Sequence, residues 1–257
     1  MTHREAPTRA DVCVAAIADC FRGDGEVLAN PIGLLPMIGG RLARACFEPE
    51  LMMTDGGALL IANDEAYPIG LDPVVETYNP YRAMFDIVYS GRRHVIMGAS
   101  QLDRYGNQNL AAIGSDYSHP RVQLLGFRGA PGNTLCNKTS YWVGHHSPQV
   151  FVEHVDVVTG IGWDRAMALP ATLRAGFNVH RVITDLAVLD FATPDHSMRL
   201  CSVHPGVSVD DVRDATGFEL SIPDHVPTTR SPTDDEMDVL NTHVDPENRR
   251  QREVRPR

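Results

Sequence analysis

Apolar positions recur along this chain in two periods, and the two alternate. Val12, Ala15, Ala16 and Ile17 share one face of a 3.6-residue helix. They follow Thr8-Arg9-Ala10-Asp11, a relaxed capping box with Asp in place of the usual Glu, and Gly23 is the expected stop. Glu26 to Ala29 reads as the first strand, and Asn30 to Pro36 turns the chain into a second helix, Met37 to Cys46. Leu51-Met52-Met53 reads as a short strand ending in Thr54-Asp55-Gly56-Gly57. Asn79 as N-cap and Pro80 at the first helical position open another helix. Its Tyr81, Met84, Phe85 and Val88 fall at i, i+3, i+4 and i+7, a stripe expected to face a core. His94-Val95-Ile96-Met97 reads as a buried strand after the turn Ser90-Gly91.

Strands become denser towards the carboxyl end: Arg121 to Leu125, Gln149 to Val155, Val179 to Phe191 as a pair or a bent strand, and Met198 to Val203. A helix is expected from Ser208-Val209-Asp210-Asp211 to about Thr216, and a last short one after the capping box Thr233 to Glu236. Residues 246–257 carry five arginines and no apolar cluster, the pattern of a solvated tail. No repeat or low-complexity linker divides the chain. The pattern predicts one α/β domain over residues 1–245, an open, mostly parallel sheet flanked by helices, with a charged C-terminal tail over 246–257.

Composition narrows the function classes. The net charge of −10 argues against broad nucleic-acid binding, although local arginines and helix amino ends can still hold an anion. No apolar run approaches the roughly 20 residues that span a bilayer, so no membrane association is expected. The amino terminus has no apolar segment of the secretory kind. Five cysteines, an odd number without a C-x-x-C pair, fit reduced thiols in a cytoplasm. His145 and His146 are adjacent and no H-E-x-x-H occurs, so no metal site is expected. The P-loop, the G-x-G-x-x-G fingerprint and G-x-S-x-G are also absent.

Candidate chemistry lies in polar glycine turns that follow strands. The most polar is Gly98 to Asn109, with Gln101, Asp103, Arg104, Asn107 and Asn109. Such a segment is either a ligand crevice at a strand end or a tight turn, in which Gly106 supplies a positive φ and Asp103 or Asn107 bonds local backbone. Segments 30–36, 54–57 and 126–133 are of the same kind. Their backbone amides can hold a phosphate or a developing oxyanion.

Gln101-Leu-Asp-Arg-Tyr-Gly-Asn-Gln-Asn resembles the Q-x-D-x-x-G-N-x-N segment of class I coenzyme A transferases, and Pro205-Gly-Val-Ser-Val-Asp-Asp-Val resembles their P-G-V-T-x-x-D-V segment. The likeness runs over roughly residues 10–245 and is greatest to β subunits of the glutaconate transferase type. It implies an open α/β fold, an α subunit of similar fold in an α2β2 heterotetramer, and an active site between the subunits. No bound cofactor is implied; coenzyme A enters as part of an acyl-CoA substrate. Transferases of the family attack with a glutamate in an S-E-N-G-like turn, where this chain has the shorter Asp55. A near-attack distance of about 3–3.5 Å makes that withdrawal serious. Tyr141-Trp142 and Asp195-His196 instead resemble a subgroup of two-subunit hydrolases that open a cyclic coenzyme A thioester in cholesterol and steroid catabolism. The resemblance implies hydrolysis of a carbon–carbon bond, with an α-subunit glutamate as base. A true transferase using Asp55 and a non-catalytic stabilising subunit are the alternatives. Arg128 and Asp55 are the candidate catalytic residues. Gly33, Gly56, Asn107, Gly129, Asn133 and His196 are the candidates for substrate or coenzyme A binding.

Overall fold

A computed structural model of the chain describes residues 6–54, 59–62 and 74–254. Helix α1 (Arg9–Cys20) starts at the capping box: the Thr8 hydroxyl accepts the Asp11 amide at 3.3 Å, and the Asp11 carboxylate accepts the Thr8 amide at 2.7 Å. There follow β1 (Leu28–Pro31), α2 (Leu34–Cys46), β2 (Met52–Thr54), β3 (Leu59–Ile61), β4 (Val75–Tyr78), α3 (Tyr81–Val88) and β5 (Arg93–Met97). Two small ribbons come next, β6 (Gln101–Leu102) with β7 (Gln108–Asn109), and β8 (Ala112–Ile113) with β9 (Val122–Gln123). The rest is α4 (Ala130–Cys136), β10 (Lys138–Val143), α5 (Trp163–Met167), β11 (Asn178–Thr184), β12 (Ala187–Asp190), β13 (Arg199–Val203), α6 (Val209–Asp214) and α7 (Asp234–Val239). Capping boxes at Ser208 and Thr233 open α6 and α7.

Among the described residues one sheet runs β13-β12-β11-β10-β5-β1-β2-β3-β4. Its middle, from β11 to β2, is parallel, and both flanks are antiparallel. The two sides of the sheet bury separate apolar layers. Ile96, Trp142, Ile183 and Val188 meet α1 and α2 on one side. Val95, Met97, Tyr141, Val182 and Leu189 meet Ala166 of α5 and Val212 of α6 on the other. Helices α1 and α2 approach so closely that a Cβ at Gly39 would collide with Ile17.

Four expectations are corrected. Pro80 is itself the N-cap of α3, one position later than read. The α3 stripe does not face a core: Tyr81 is 78% exposed and Phe85 40%, and only Val88 is buried. An amphipathic pattern identifies an apolar face but not what covers it. Arg121 to Leu125 shrinks to the exposed two-residue β9 outside the main sheet, and Gln149 to Val155 contributes a single bridge, Phe151 to Leu102.

The fourth correction concerns the tail. Residues Arg249–Arg252 form a single turn docked on α1 and α2, and Arg250 is 2% exposed. Its guanidinium donates to Asp11 at 2.5 Å, Asp245 at 3.0 Å and Asn241 at 2.6 Å. A solvated reading fails because the partners lie 239 residues away in Asp11 and five away in Asp245. Removing one partner of a buried ion pair typically costs about 3–5 kcal/mol, because the other charge stays buried. Arg250→Ala should therefore lower unfolding stability by about that amount in urea titrations. A change within about 0.5 kcal/mol, the usual range for exposed sites, would restore the solvated tail.

Candidate active site

The carboxyl ends of the parallel strands carry the polar turns. After β5 the chain enters the β6–β7 ribbon, where Gly106 sits at φ 80°. Asp103 Oδ1 accepts the amides of Tyr105 and Asn107, both at 3.0 Å. Asn107 Nδ2 donates to Asp103 and to Asp164, both at 2.9 Å, and its Oδ1 accepts the Gly162 amide at 2.7 Å. Asn107 is 1% exposed. These bonds use both amide donors and one acceptor position, and they fasten the ribbon to the start of α5. Burial also holds the Asp103 carboxyl above its ordinary range.

Gly126, at φ 87°, leads into exposed Phe127 and Arg128. Arg128 has φ 51°, the left-handed region that a non-glycine residue occupies at a cost. Its side chain is exposed and makes no hydrogen bond or ion pair among the described residues. Gly129 is the N-cap of α4. One turn on, Asn133 is buried, with Oδ1 accepting from Arg93 Nη1 at 3.0 Å and Nδ2 3.4 Å from Met97 Sδ. Arg93 is itself buried, has no carboxylate partner among the described residues, and leaves its Nε unsatisfied. Burial pulls its pKa down to about 10. Asn133 thus anchors α4 to the sheet.

Gly33, at φ 117°, precedes α2. The amino end of that helix already holds an anion, and it is the chain's own: Glu253 Oε2 accepts the Leu35 amide at 3.0 Å, and its Oε1 accepts the Trp142 indole N–H at 2.8 Å. His196, at φ 57°, stacks on Trp163 at 4.1 Å and lies in a turn with Asp195 and Ser197. Asp55 and Gly56 lie outside the described residues.

Sequence reading missed a buried relay. His94 Nδ1 lies 2.6 Å from Asp24 Oδ2 and its Nε2 lies 2.9 Å from Ser140 Oγ, while Lys138 Nζ reaches the other Asp24 oxygen at 2.7 Å. The order Asp–His–Ser has the bonding of a nucleophilic triad. Ser140 and His94 are wholly buried inside strands, so no substrate carbonyl can reach the hydroxyl. The relay ties the 21–25 turn to the sheet. Its members are far apart in sequence, and no local motif announces them. Among the described residues no group of His, Cys, Asp and Glu side chains could hold a metal ion, and no helix is long and apolar enough to cross a membrane.

A cation without a partner among the described residues, on a strained backbone at a helix start, is suited to meeting a ligand or a second subunit. The model of the coenzyme A transferase family matches residues 82–215, and the chain belongs to that family. It is 47% identical over 247 residues to the cholesterol ring-cleaving hydrolase IpdB subunit of Rhodococcus jostii (strain RHA1), covering 96% of each chain. It superposes on the crystal structure of Rhodococcus jostii RHA1 IpdAB with TM-score 0.93 and 46% identity, covering 98% of this chain and 100% of that one. Glutaconate coenzyme A-transferase from Acidaminococcus fermentans shares the fold, with TM-score 0.81 and 22% identity over 98% of each chain.

The buried histidines make a pH prediction. Their ordinary value is 6.5; desolvation lowers His94, takes His204 to about 4 and takes His180 to about 3. Below pH 6.5 the unfolded chain binds more protons than the folded one, so stability is full above 6.5 and falls as pH drops towards 4. Paired carboxylates such as Asp19 and Asp24, held below 3.8, act at lower pH. Urea midpoints should decline between pH 6.5 and 5, and His204→Gln should flatten that decline; a flat profile in the parent would contradict the assignment.

Proposed function

We propose that this chain is the β subunit of a two-subunit hydrolase that opens a carbon–carbon ring bond of a steroid-derived coenzyme A thioester, the activity named for its IpdB relatives. Arg128 is the observation that carries the site: a permanently charged guanidinium, without a partner among the described residues, presented by a left-handed turn. Among the described residues no carboxylate pairs with it. The base is supplied by a carboxylate of the α subunit.

The α subunit docks around this turn. Tyr81 and Phe85 of α3, with Tyr78, Tyr89, Leu125 and Phe127, are large exposed apolar side chains. Helix α3 rests on α4, where Gly132 lies against Val88 and Tyr89. An apolar field of this kind beside a free cation suits a subunit interface with a carboxylate at its centre. Closure of two αβ pairs gives the α2β2 assembly. Five free thiols, none in a disulfide, suit a cytoplasmic enzyme.

The reaction then needs two things. Water, losing its proton to the partner's carboxylate, adds to a ring ketone. The resulting alkoxide collapses to a carboxylic acid, and the ring bond's electron pair leaves as an enolate stabilised by the neighbouring carbonyl and is protonated. Arg128 either keeps the partner's carboxylate ionised and aimed or stabilises the alkoxide; both interactions strengthen towards the transition state. A transferase mechanism would instead form a thioester on Asp55.

In the assembled complex Arg128→Ala should lower kcat by about 10²–10³, with Arg128→Lys a poor substitute because a point charge replaces a planar fork. Steady-state kinetics with sizing of the complex measure this. Normal assembly with kcat within about threefold of the parent, far short of that penalty, would remove Arg128 from the chemistry. Asp55→Asn should leave turnover nearly intact; abolished turnover with normal assembly would favour the transferase.

A further inference from the structure

On the α1 side of the sheet, across from α4, lies a cleft of about 340 Å³ between α1, β11–β13 and the 228–230 segment. That volume is at the small end for a small-molecule site and exceeds what a single ion needs. Three guanidiniums line it, those of Arg22, Arg181 and Arg230, in a chain whose net charge is −10. Two of them are fixed. Arg230 donates to Asp19 at 2.7 Å through both Nε and Nη2, and to Glu236 at 2.7 and 2.9 Å. Arg22 donates to the same Asp19 at 2.8 Å and lies 3.7 Å from the Phe47 ring centroid.

Arg181 is different. It projects from β11, half-buried, with no hydrogen bond or ion pair among the described residues. Among the described residues the nearby carboxylates are already engaged. Asp19 is shared by two arginines, Glu236 is held by Arg230 and the Thr233 amide, and Asp190, its cross-strand neighbour, is chelated by Arg199 at 2.9 and 2.7 Å. Leaving a guanidinium half out of water without an acceptor is unfavourable, so the cleft is poised for an external anion. Hydroxyls complete the wall. Ser202 Oγ lies 2.7 Å from Thr229 Oγ1, and Thr228 stands at the rim.

We propose that this cleft binds a small phosphate-bearing molecule, with Arg181 as its principal contact. A phosphate can take a bidentate pair of N–H groups from Arg181 and still present oxygens to the Ser202 and Thr228 hydroxyls, whereas a carboxylate spends both of its oxygens on the guanidinium. The fixed charges of Arg22 and Arg230 add attraction without having to reorganise.

The test is calorimetric titration of the assembled two-subunit protein with pyrophosphate at constant ionic strength, with succinate as the dicarboxylate control. Saturable binding of one pyrophosphate per copy of this chain is expected, weakened about tenfold or more in Arg181→Gln, as loss of a charge-assisted contact implies. Because Arg181 has no internal partner, Arg181→Gln should melt like the parent. Should that variant fold poorly, Thr228→Val serves as a second variant with a smaller expected loss. The proposal is overturned by an absence of saturable heat up to about 10 mM, a free energy near the weak limit of specific binding. Equal affinity in Arg181→Gln, or succinate binding as tightly as pyrophosphate, overturns it too.

Discussion

The arrangement at the site depends on one buried tie, the bond from Arg93 to Asn133. Arg93 enters β5 from beneath α4 with no carboxylate to compensate it, and the Asn133 amide oxygen is its one hydrogen-bond acceptor among the described residues. That bond pins α4 to the middle of the sheet. Around it the Thr139 hydroxyl donates to the Asn133 carbonyl at 3.0 Å, and Asn137 donates to the Val88 carbonyl at 2.6 Å, which joins α4 to α3. A helix held on both sides fixes the direction from which the chain must enter it. In the connection from β9 into that helix, Gly126 and Arg128 both take positive φ, which at Arg128 is the strained left-handed conformation.

The same economy runs through the rest of the crevice. Asn107 closes the β6–β7 ribbon, Glu253 closes the amino end of α2, and His196 closes a turn against Trp163. These groups are spent on holding backbone in place, which leaves Arg128 free. A subunit that contributes one rigidly presented cation and an exposed apolar surface is half of a site.

The sequence was legible where the governing interaction is local. Helices start as read at Thr8, Ser208 and Thr233, and the β11–β12 pair matches Val179 to Phe191 to within a residue at each end. It was illegible where the partner is distant. The arginines of the tail looked solvated because Asp11 is at the other end of the chain. The α2 amino end was read as favourable for an anion, but the carboxylate seated there, that of Glu253, is 218 residues away. The α3 stripe looked like core because periodicity does not distinguish a core from a subunit surface. Arg128 was found from its position before a glycine turn and from family likeness; its backbone strain has no signature in one-dimensional pattern.

The fate of water separates hydrolysis from coenzyme A transfer most directly. The assembled two-subunit protein should be run on a cyclic steroid-derived coenzyme A thioester in ¹⁸O-labelled water, with products resolved by mass. Hydrolytic ring opening predicts one labelled oxygen in the new carboxylate, coenzyme A retained on its original thioester, and no adduct on this chain. Transfer of coenzyme A to an added carboxylic acid, with the ring intact and a thioester trapped on Asp55, would contradict it.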